Sequence, residues 1–331
     1  MLNNSFHHTA KRIFQILQNA ESVLLIPHQK PDGDALGSCT AFSEWLTEQE
    51  KSVSIFCATD YGKNFLYLPH VSTISSNTDI WEQKKFDTII VFDSGDLRYA
   101  GVNSYIQNLS YKPTLINIDH HATNEYYGDV NLVDTHFSST CEVVFEFFET
   151  NSVRLNKNMA TSLLTGLITD TDHFTNSATS STALHAAGFL MKKSGKHRHI
   201  KETLYNTLGI SALQLWGKVL ERLEKNQELD IIFTSLNQKD ILEFGLSESE
   251  SEGMANFLNT LSEGKAALIL KEVEHNVWKG SFRTTKNDVD VAKIAKTLGG
   301  GGHKKAAGFT LQGDKTTVLE KIFQTIREIK L

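Results

Sequence analysis

Residues 28–38 read HQKPDGDALGS and follow an apolar run, Val23-Leu24-Leu25-Ile26, so His28, Asp32 and Asp34 share one short loop at the end of a buried segment. Three further stretches end in the same residue types. FDSGD supplies Asp93, IDHHATN supplies Asp119, His120 and His121, and LLTGLITDTDHF supplies Asp170. Singly, each has an ordinary explanation: an aspartate after a strand usually opens a turn or caps a helix. Jointly they do not, because buried carboxylates without a counter-charge cost on the order of several kcal/mol each. A divalent cation removes that cost. Mixed histidine and aspartate without cysteine suits a fairly hard ion, Mn²⁺ first, with Mg²⁺, Co²⁺ or Zn²⁺ as alternatives. So many donors predict two ions sharing a carboxylate. Two ions about 3.5–4 Å apart are suited to displacement at phosphorus. His173, three residues beyond Asp170, reads as a neighbour of the site, and the other histidines lie outside these motifs.

The elements that must position these groups are legible in outline. SVLLIP (22–27), SVSIF (52–56), DTIIVF (87–92) and TLINI (114–118) are short runs rich in Val and Ile, and ALGSCTAFSEWLTEQE between the first two has helical spacing. Helices are expected at 139–150 and 158–169. Buried strands alternating with helices predict a doubly wound, mostly parallel α/β sheet. In such sheets ligands sit beyond the carboxyl ends of the strands, where these motifs fall. From 229 a smaller α+β domain begins: strands LDIIFTSL, AALILKEV and VWKGSFRT, helices around 252–262, at DVAKIAKTL and at 316–329, and a GGGGHKKAAGF stretch. The expected organisation is a catalytic domain over 1–190, a helical linker over 191–228 and a second domain over 229–331. KKSGKHRH (192–199) reads as a solvated loop.

With 331 residues, 40% hydrophobic and 22% charged, the chain reads as an ordinary globular protein with more than one core. A net charge of −6 and a pI of about 6.1 argue against coating long duplex DNA. Cys39, Cys57 and Cys141 form no CxxC pair, which suits a reducing cytoplasm. The first twenty residues resemble an amphipathic helix rather than a signal peptide, and no stretch is apolar enough to suggest a membrane span.

HQKPDGDALGS, VFDSGD, IDHH and GLITDTDHF, in this order, resemble the four motifs of the DHH phosphoesterase superfamily, and GSFRTTKNDVDVAKIAKTLGGGGHKKAAGF resembles the signature of its DHHA1 domain. The architecture is similar to that of the short bacterial oligoribonucleases, or nanoRNases, which also act as phosphatases of 3′-phosphoadenosine-5′-phosphate (pAp). The resemblance implies that His28, Asp32 and Asp93 hold one cation, and that Asp34, Asp93, His120 and Asp170 hold the second, with Asp93 as the bridge. It implies an orienting role for Asp119, and a substrate-facing role for His121 in stabilising phosphoryl oxygens or donating a proton. Water between two dications loses its proton near neutral pH and becomes the nucleophile.

Gly300, Gly301 and Gly302 permit close backbone approach to an anion, or a flexible hairpin tip, and His303 adds positive character. By the resemblance, Arg283 in GSFRT meets a terminal phosphate or a base; relatives often carry serine where Thr284 stands. Arg98 is a further phosphate candidate, with a surface ion pair as its alternative. A second domain folding over the crevice would favour short single-stranded RNA and pAp, with linear pApA as a further candidate. Inorganic pyrophosphatases and exopolyphosphatases share the first four motifs but not the GGGH stretch. A linear or cyclic dinucleotide phosphodiesterase and a non-catalytic nucleotide sensor are the remaining alternatives. A plain dinucleotide-binding module is disfavoured, since no GxGxxG follows the first strand. Strand polarity, the native metal and the assembly state, a homodimer among the options, stay open.

Overall fold

A computed structural model describes residues 4–194, 196–204, 209–246, 257, 258, 261 and 263–329. The chain divides into two compact units, residues 1–206 and 207–331. In the first unit, β1 (Ser22–Pro27), β2 (Ser52–Phe56), β3 (Ile74–Ser75), β4 (Thr88–Phe92), β5 (Thr114–Asp119) and β6 (Val130–Val133) form one sheet in the order β3-β2-β1-β4-β5-β6. Every pairing is parallel. The order reverses between β1 and β4, so the sheet is doubly wound with its switch point there. Two strands escape the sequence reading. β3 has only two residues, and β6 is buried on alternate residues, so neither presents a continuous apolar run.

Helices cover both faces. α1 (Asn4–Asn19), α2 (Gly33–Glu48), α5 (Thr140–Thr150), α6 (Lys157–Asp170) and α7 (Ser181–Ser194) pack on one; α3 (Ile80–Gln83) and α4 (Asn103–Gln107) pack on the other. α1 turns Phe6, Ala10, Ile13 and Leu17 inward, the three-to-four spacing of an amphipathic helix. Phe42 and Trp45 of α2 interlock with Phe147 and Phe148 of α5 at ring separations of 5.2–5.7 Å. The KKSGKHRH loop is corrected in part: His197–Leu204 form a helix, α8, because Ile200 finds a buried position against the core. No described helix is long and apolar enough to cross a membrane.

The contact between α2 and α6 places the acidic loops. A side chain at Gly37 would strike the Ser162 carbonyl and come within 2.9 Å of the Cys141 sulfur. One at Gly166 would strike the same sulfur and lie 2.6 Å from Asp34 Oδ1. The two glycines therefore let the helices approach closely enough to bring Asp34, at the start of α2, and Asp170, at the end of α6, to one place.

The second unit carries a mixed sheet in the order β11-β12-β10-β9-β8-β7. Its strands are β7 (Glu224–Asn226), β8 (Ile231–Leu236), β9 (Ala266–Glu274), β10 (Val277–Arg283), β11 (Gly301–His303) and β12 (Ala306–Gln312). Only β8 and β9 pair in parallel. Helices Val291–Thr297 and Lys315–Ile329 pack on one core, and α9 (Ile210–Glu221) and α10 (Gln238–Glu243) on another. Of the stretch read as a linker, α8 belongs to the first unit, and α9 and β7 to the second. Most of the helix expected around 252–262 lies outside the described residues.

Close packing at Gly166 predicts that Gly166→Ala destabilises the first unit by about 1–3 kcal/mol through overpacking. Gly188→Ala is the contrast: Gly188 sits in the interior of α7 with no atom within 4 Å of an added methyl group. There the better helix former stabilises by about 0.5–1 kcal/mol. Denaturant unfolding of both variants reads the opposite signs.

Candidate metal centre

β1 runs into His28 and β4 into Asp93, the two strands that flank the switch point; β5 ends in Asp119 followed by His120 and His121. Asp93 adopts φ +56°, a left-handed conformation uncommon outside glycine, which turns the chain sharply off the strand. Its Oδ2 lies 3.5 Å from His28 Nε2, and its Oδ1 lies 3.7 Å from His120 Nε2. His28 Nε2 is also 3.8 Å from Asp32 Oδ1. His120 Nε2 is 4.0 Å from Asp34 Oδ2 and 3.5 Å from Asp170 Oδ2. Ligand atoms of His28, Asp32 and Asp93 all lie within 4.8 Å of one another, as do those of Asp34, His120 and Asp170, and those of Asp93, His120 and His121.

Surrounding bonds orient the donors. His28 Nδ1–H donates to the Gln29 carbonyl at 2.7 Å, which leaves Nε2 as the atom facing the carboxylates, to which its proton is given until a cation takes its place. His120 Nδ1 faces the Phe137 carbonyl at 3.4 Å, with the same consequence. Buried Asp119 accepts the His121 Nδ1–H at 2.7 Å and the His120 backbone N–H at 2.8 Å. It thus orients the ring of His121 directly, and His120 only through the main chain. Because Nδ1 is the His121 nitrogen near Asp93, at 3.6 Å, and is already committed to Asp119, His121 makes a poor ligand in its group.

Asp34 is fully buried at the N-terminus of α5. Its Oδ2 accepts the Thr140 N–H at 2.7 Å and its Oδ1 the Cys141 N–H at 2.8 Å. Free amides and the helix dipole there favour a carboxylate. Asp32 does two things: it caps α2, accepting from Asp34 and Ala35 N–H, and it faces His28. The capping interpretation of Asp32 therefore does not compete with a ligand role.

Electrostatics show what such an assembly costs. Asp34 and Asp170 are held well above the usual carboxylate range, first by burial and then by the charge of Asp93. Burial alone would lower the His28 pKa, but its bonds to Asp32 and Asp93 push it up to about 12. Burial lowers the pKa of His120, which favours the neutral ring a cation requires. His121 also resists burial: its bond to Asp119 raises it to about 9. Carboxylates that repel one another, with imidazole lone pairs directed among them, fit a hard divalent cation.

Two contributors carry no legible signal in the sequence. Thr140 Oγ donates to Asp93 Oδ1 at 2.8 Å. Asn124 Nδ2 donates to Asp119 Oδ2 at 2.5 Å, while its Oδ1 accepts from Asn117 Nδ2 at 2.9 Å. SSTCE reads as a helix start, with Ser139 as N-cap, but nothing in it says which carboxylates the new helix end will face.

Arg98 is committed to ion pairs. Its exposed guanidinium pairs with Glu125 at 3.1 Å and Asp96 at 3.6 Å. In the second unit, Arg283 ends β10, donates to the Phe282 carbonyl at 2.9 Å, and lines a small cavity with Lys265, Thr284 and Thr285. The glycine run is a strand edge: Gly301 and Gly302 pair with Gly308 and Ala307. A side chain at Gly300 or Gly302 would strike β12, whereas Gly301 has open space. The His303 side chain lies outside the described residues.

Manganese at about a hundredfold excess over its Kd is expected to stabilise the wild-type chain by about 2.7 kcal/mol. Asp93→Asn retains an acceptor for Thr140 and tolerates the left-handed backbone, and it should lose most of that gain. An equal gain in both proteins would mean that Asp93 holds no cation.

The DHH family, N-terminal domain, matches residues 22–167, and the DHHA1 domain matches residues 221–329. A probable bifunctional oligoribonuclease and PAP phosphatase NrnA from Streptococcus mutans is 27% identical over 304 residues, 90% of this chain and 92% of the relative. The bifunctional oligoribonuclease and PAP phosphatase NrnA of Thermus thermophilus is 26% identical over 318 residues, 96% and 93% of the two chains. The crystal structure of an exopolyphosphatase-related protein from Bacteroides fragilis superposes with a TM-score of 0.89 at 22% identity, covering 97% of this chain and 96% of that one, a likeness of fold. The chain belongs to the DHH phosphoesterase family, a DHH N-terminal domain followed by a DHHA1 domain.

Proposed function

We propose that the chain is a divalent-metal-dependent phosphoesterase that degrades short oligoribonucleotides to nucleoside 5′-monophosphates and removes the 3′-phosphate of pAp. The observation that carries this reading is buried Asp93, whose two oxygens face different histidines, His28 on one side and His120 on the other. Similarity to relatives named for these two activities, over nine-tenths of both chains, selects the substrate class. His28, Asp32 and Asp93 would hold one cation, and Asp34, Asp93, His120 and Asp170 a second, with manganese the preferred ion. Bound there, the pair supplies charge neutralisation at phosphorus and a more acidic water.

The protein's own groups do the rest. Asp93 joins the two sets of donors. Asp119, fixed by Asn124, holds the His121 ring through Nδ1, which leaves Nε2 to meet a phosphoryl oxygen or to give its proton to the departing alkoxide. Asp34 is fixed by the α5 amides, so its carboxylate does not swing when charge develops nearby. Arg283 is the first candidate for a terminal phosphate, since a guanidinium fork matches phosphate oxygens. The open backbone at Gly301, with Gly300 and Gly302 held by the sheet, is a second grip. Arg98 is the weaker candidate because Glu125 already occupies it. Three buried, unpaired thiols suit a reducing cytoplasm.

Chromatography of end-labelled di- to pentaribonucleotides and of pAp, with Mn²⁺ and with chelator, tests this. Mononucleotides from the former and inorganic phosphate from the latter, both dependent on metal, are expected. Survival of the short oligomers while long single strands are degraded would refute it. Arg283→Ala should raise KM for pAp by about tenfold or more, with kcat nearly unchanged, as loss of a charged hydrogen bond predicts.

A further inference from the structure

Nothing so far explains Tyr99. It is 53% exposed, yet its backbone is hydrogen-bonded on both sides of the residue. Asp96 Oδ1 accepts the N–H groups of Arg98 at 2.7 Å and Tyr99 at 2.9 Å, closing a tight turn. The Tyr99 carbonyl accepts the Gln29 N–H at 3.3 Å, and Gln29 Nε2 donates to the Arg98 carbonyl at 2.9 Å. Gly101, at φ +75°, brings the turn against Gln29, where a side chain would come within 2.7 Å. These bonds tie the segment carrying Tyr99 to the residue that follows His28. The Tyr99 ring lies over the His28 imidazole, with centroids 5.0 Å apart and planes 31° from parallel. Other large apolar side chains are exposed in the first unit, but among the described residues Tyr99 is the exposed aromatic that packs on a member of the donor cluster.

A half-exposed ring fixed at both ends of its peptide unit contributes little to the core, and one of its faces is already against His28. Tyrosine presents a large flat surface at low entropic cost, because only two torsions need fixing. Nucleobases stack on such surfaces whatever their sequence, since every base has a π-face. A phosphate brought to His28 carries its nucleoside within reach of a ring 5.0 Å from that imidazole.

We propose that Tyr99 is the stacking platform for the base of the nucleotide whose phosphate is being cleaved, and that it contributes binding rather than chemistry. This rests on the phosphoesterase reading above. It makes the site selective for nucleotides over bare phosphate esters without selecting among the bases.

The test compares pAp with ribose 3,5-bisphosphate, the same bisphosphate lacking adenine, on wild type, Tyr99→Phe and Tyr99→Ala, all loaded with Mn²⁺. For pAp, Tyr99→Ala should lower kcat/KM by about 5- to 150-fold, mostly through KM, the range that base–aromatic stacking accounts for. Tyr99→Phe should restore it. The adenine-free substrate should be cleaved equally by all three proteins, and bound manganese per chain should not change. An equal loss on both substrates, or a fall in bound manganese, would show that Tyr99 only props His28 and would overturn the proposal, as would no change on either. If wild type cleaves neither substrate, the phosphoesterase reading fails, and the stacking proposal fails with it, an outcome distinct from the others.

Discussion

Buried like charge is the constraint on which the first unit is built. Asp34 and Asp93 are almost completely removed from water, and Asp170 is largely so. Burial and the charge of Asp93 make Asp34 and Asp170 harder to ionise, and the unit folds around them nonetheless. Part of the compensation is internal: Thr140 bonds Asp93, the α5 amides bond Asp34, and His28 lies between Asp32 and Asp93. The remainder is left for a cation. Such repulsion costs the fold stability, and a cation held among these groups would relieve it.

Backbone geometry holds this arrangement open. Asp93 is kept in a left-handed conformation at the end of β4, and Asp172, His173 and Phe174 form three successive left-handed residues just past Asp170. Such conformations persist only where surrounding bonds over-determine them. Here the His173 N–H bonds the Ile168 carbonyl at 2.8 Å, and Asn176 Nδ2 bonds the Asp170 carbonyl at 2.7 Å. The His173 ring meets His197 of α8 at 5.5 Å, consistent with a supporting position beside the cluster. Gly37 and Gly166 contribute in the opposite sense, through the side chains they lack.

The second unit shows how one motif can serve two demands. Gly300 and Gly302 are required by the sheet, because any side chain there meets β12; Gly301 is free of that requirement. A glycine run that reads in sequence as an anion nest is therefore in part a packing solution. Its remaining capacity for close backbone approach is concentrated at one residue.

From one dimension, the acidic strand ends could be recognised because chemistry demands particular residue types there, and because strands of a parallel sheet are nearly continuous apolar runs. Those signals delivered the doubly wound fold, and they named carboxylates and imidazoles that the fold brings within reach of one another. They could not deliver β3 and β6, too short or too alternating to stand out, nor Thr140, Asn124 and Tyr99. A threonine at a helix start, an asparagine in a turn and a tyrosine in a loop are commonplace locally. What they do depends on which distant carboxylate or ring the fold sets opposite them. Asp34 and Cys141 lie 107 positions apart yet are joined by hydrogen bonds. Such partners are decided by how helices and sheet close-pack in three dimensions, a property of the whole unit that no local stretch contains.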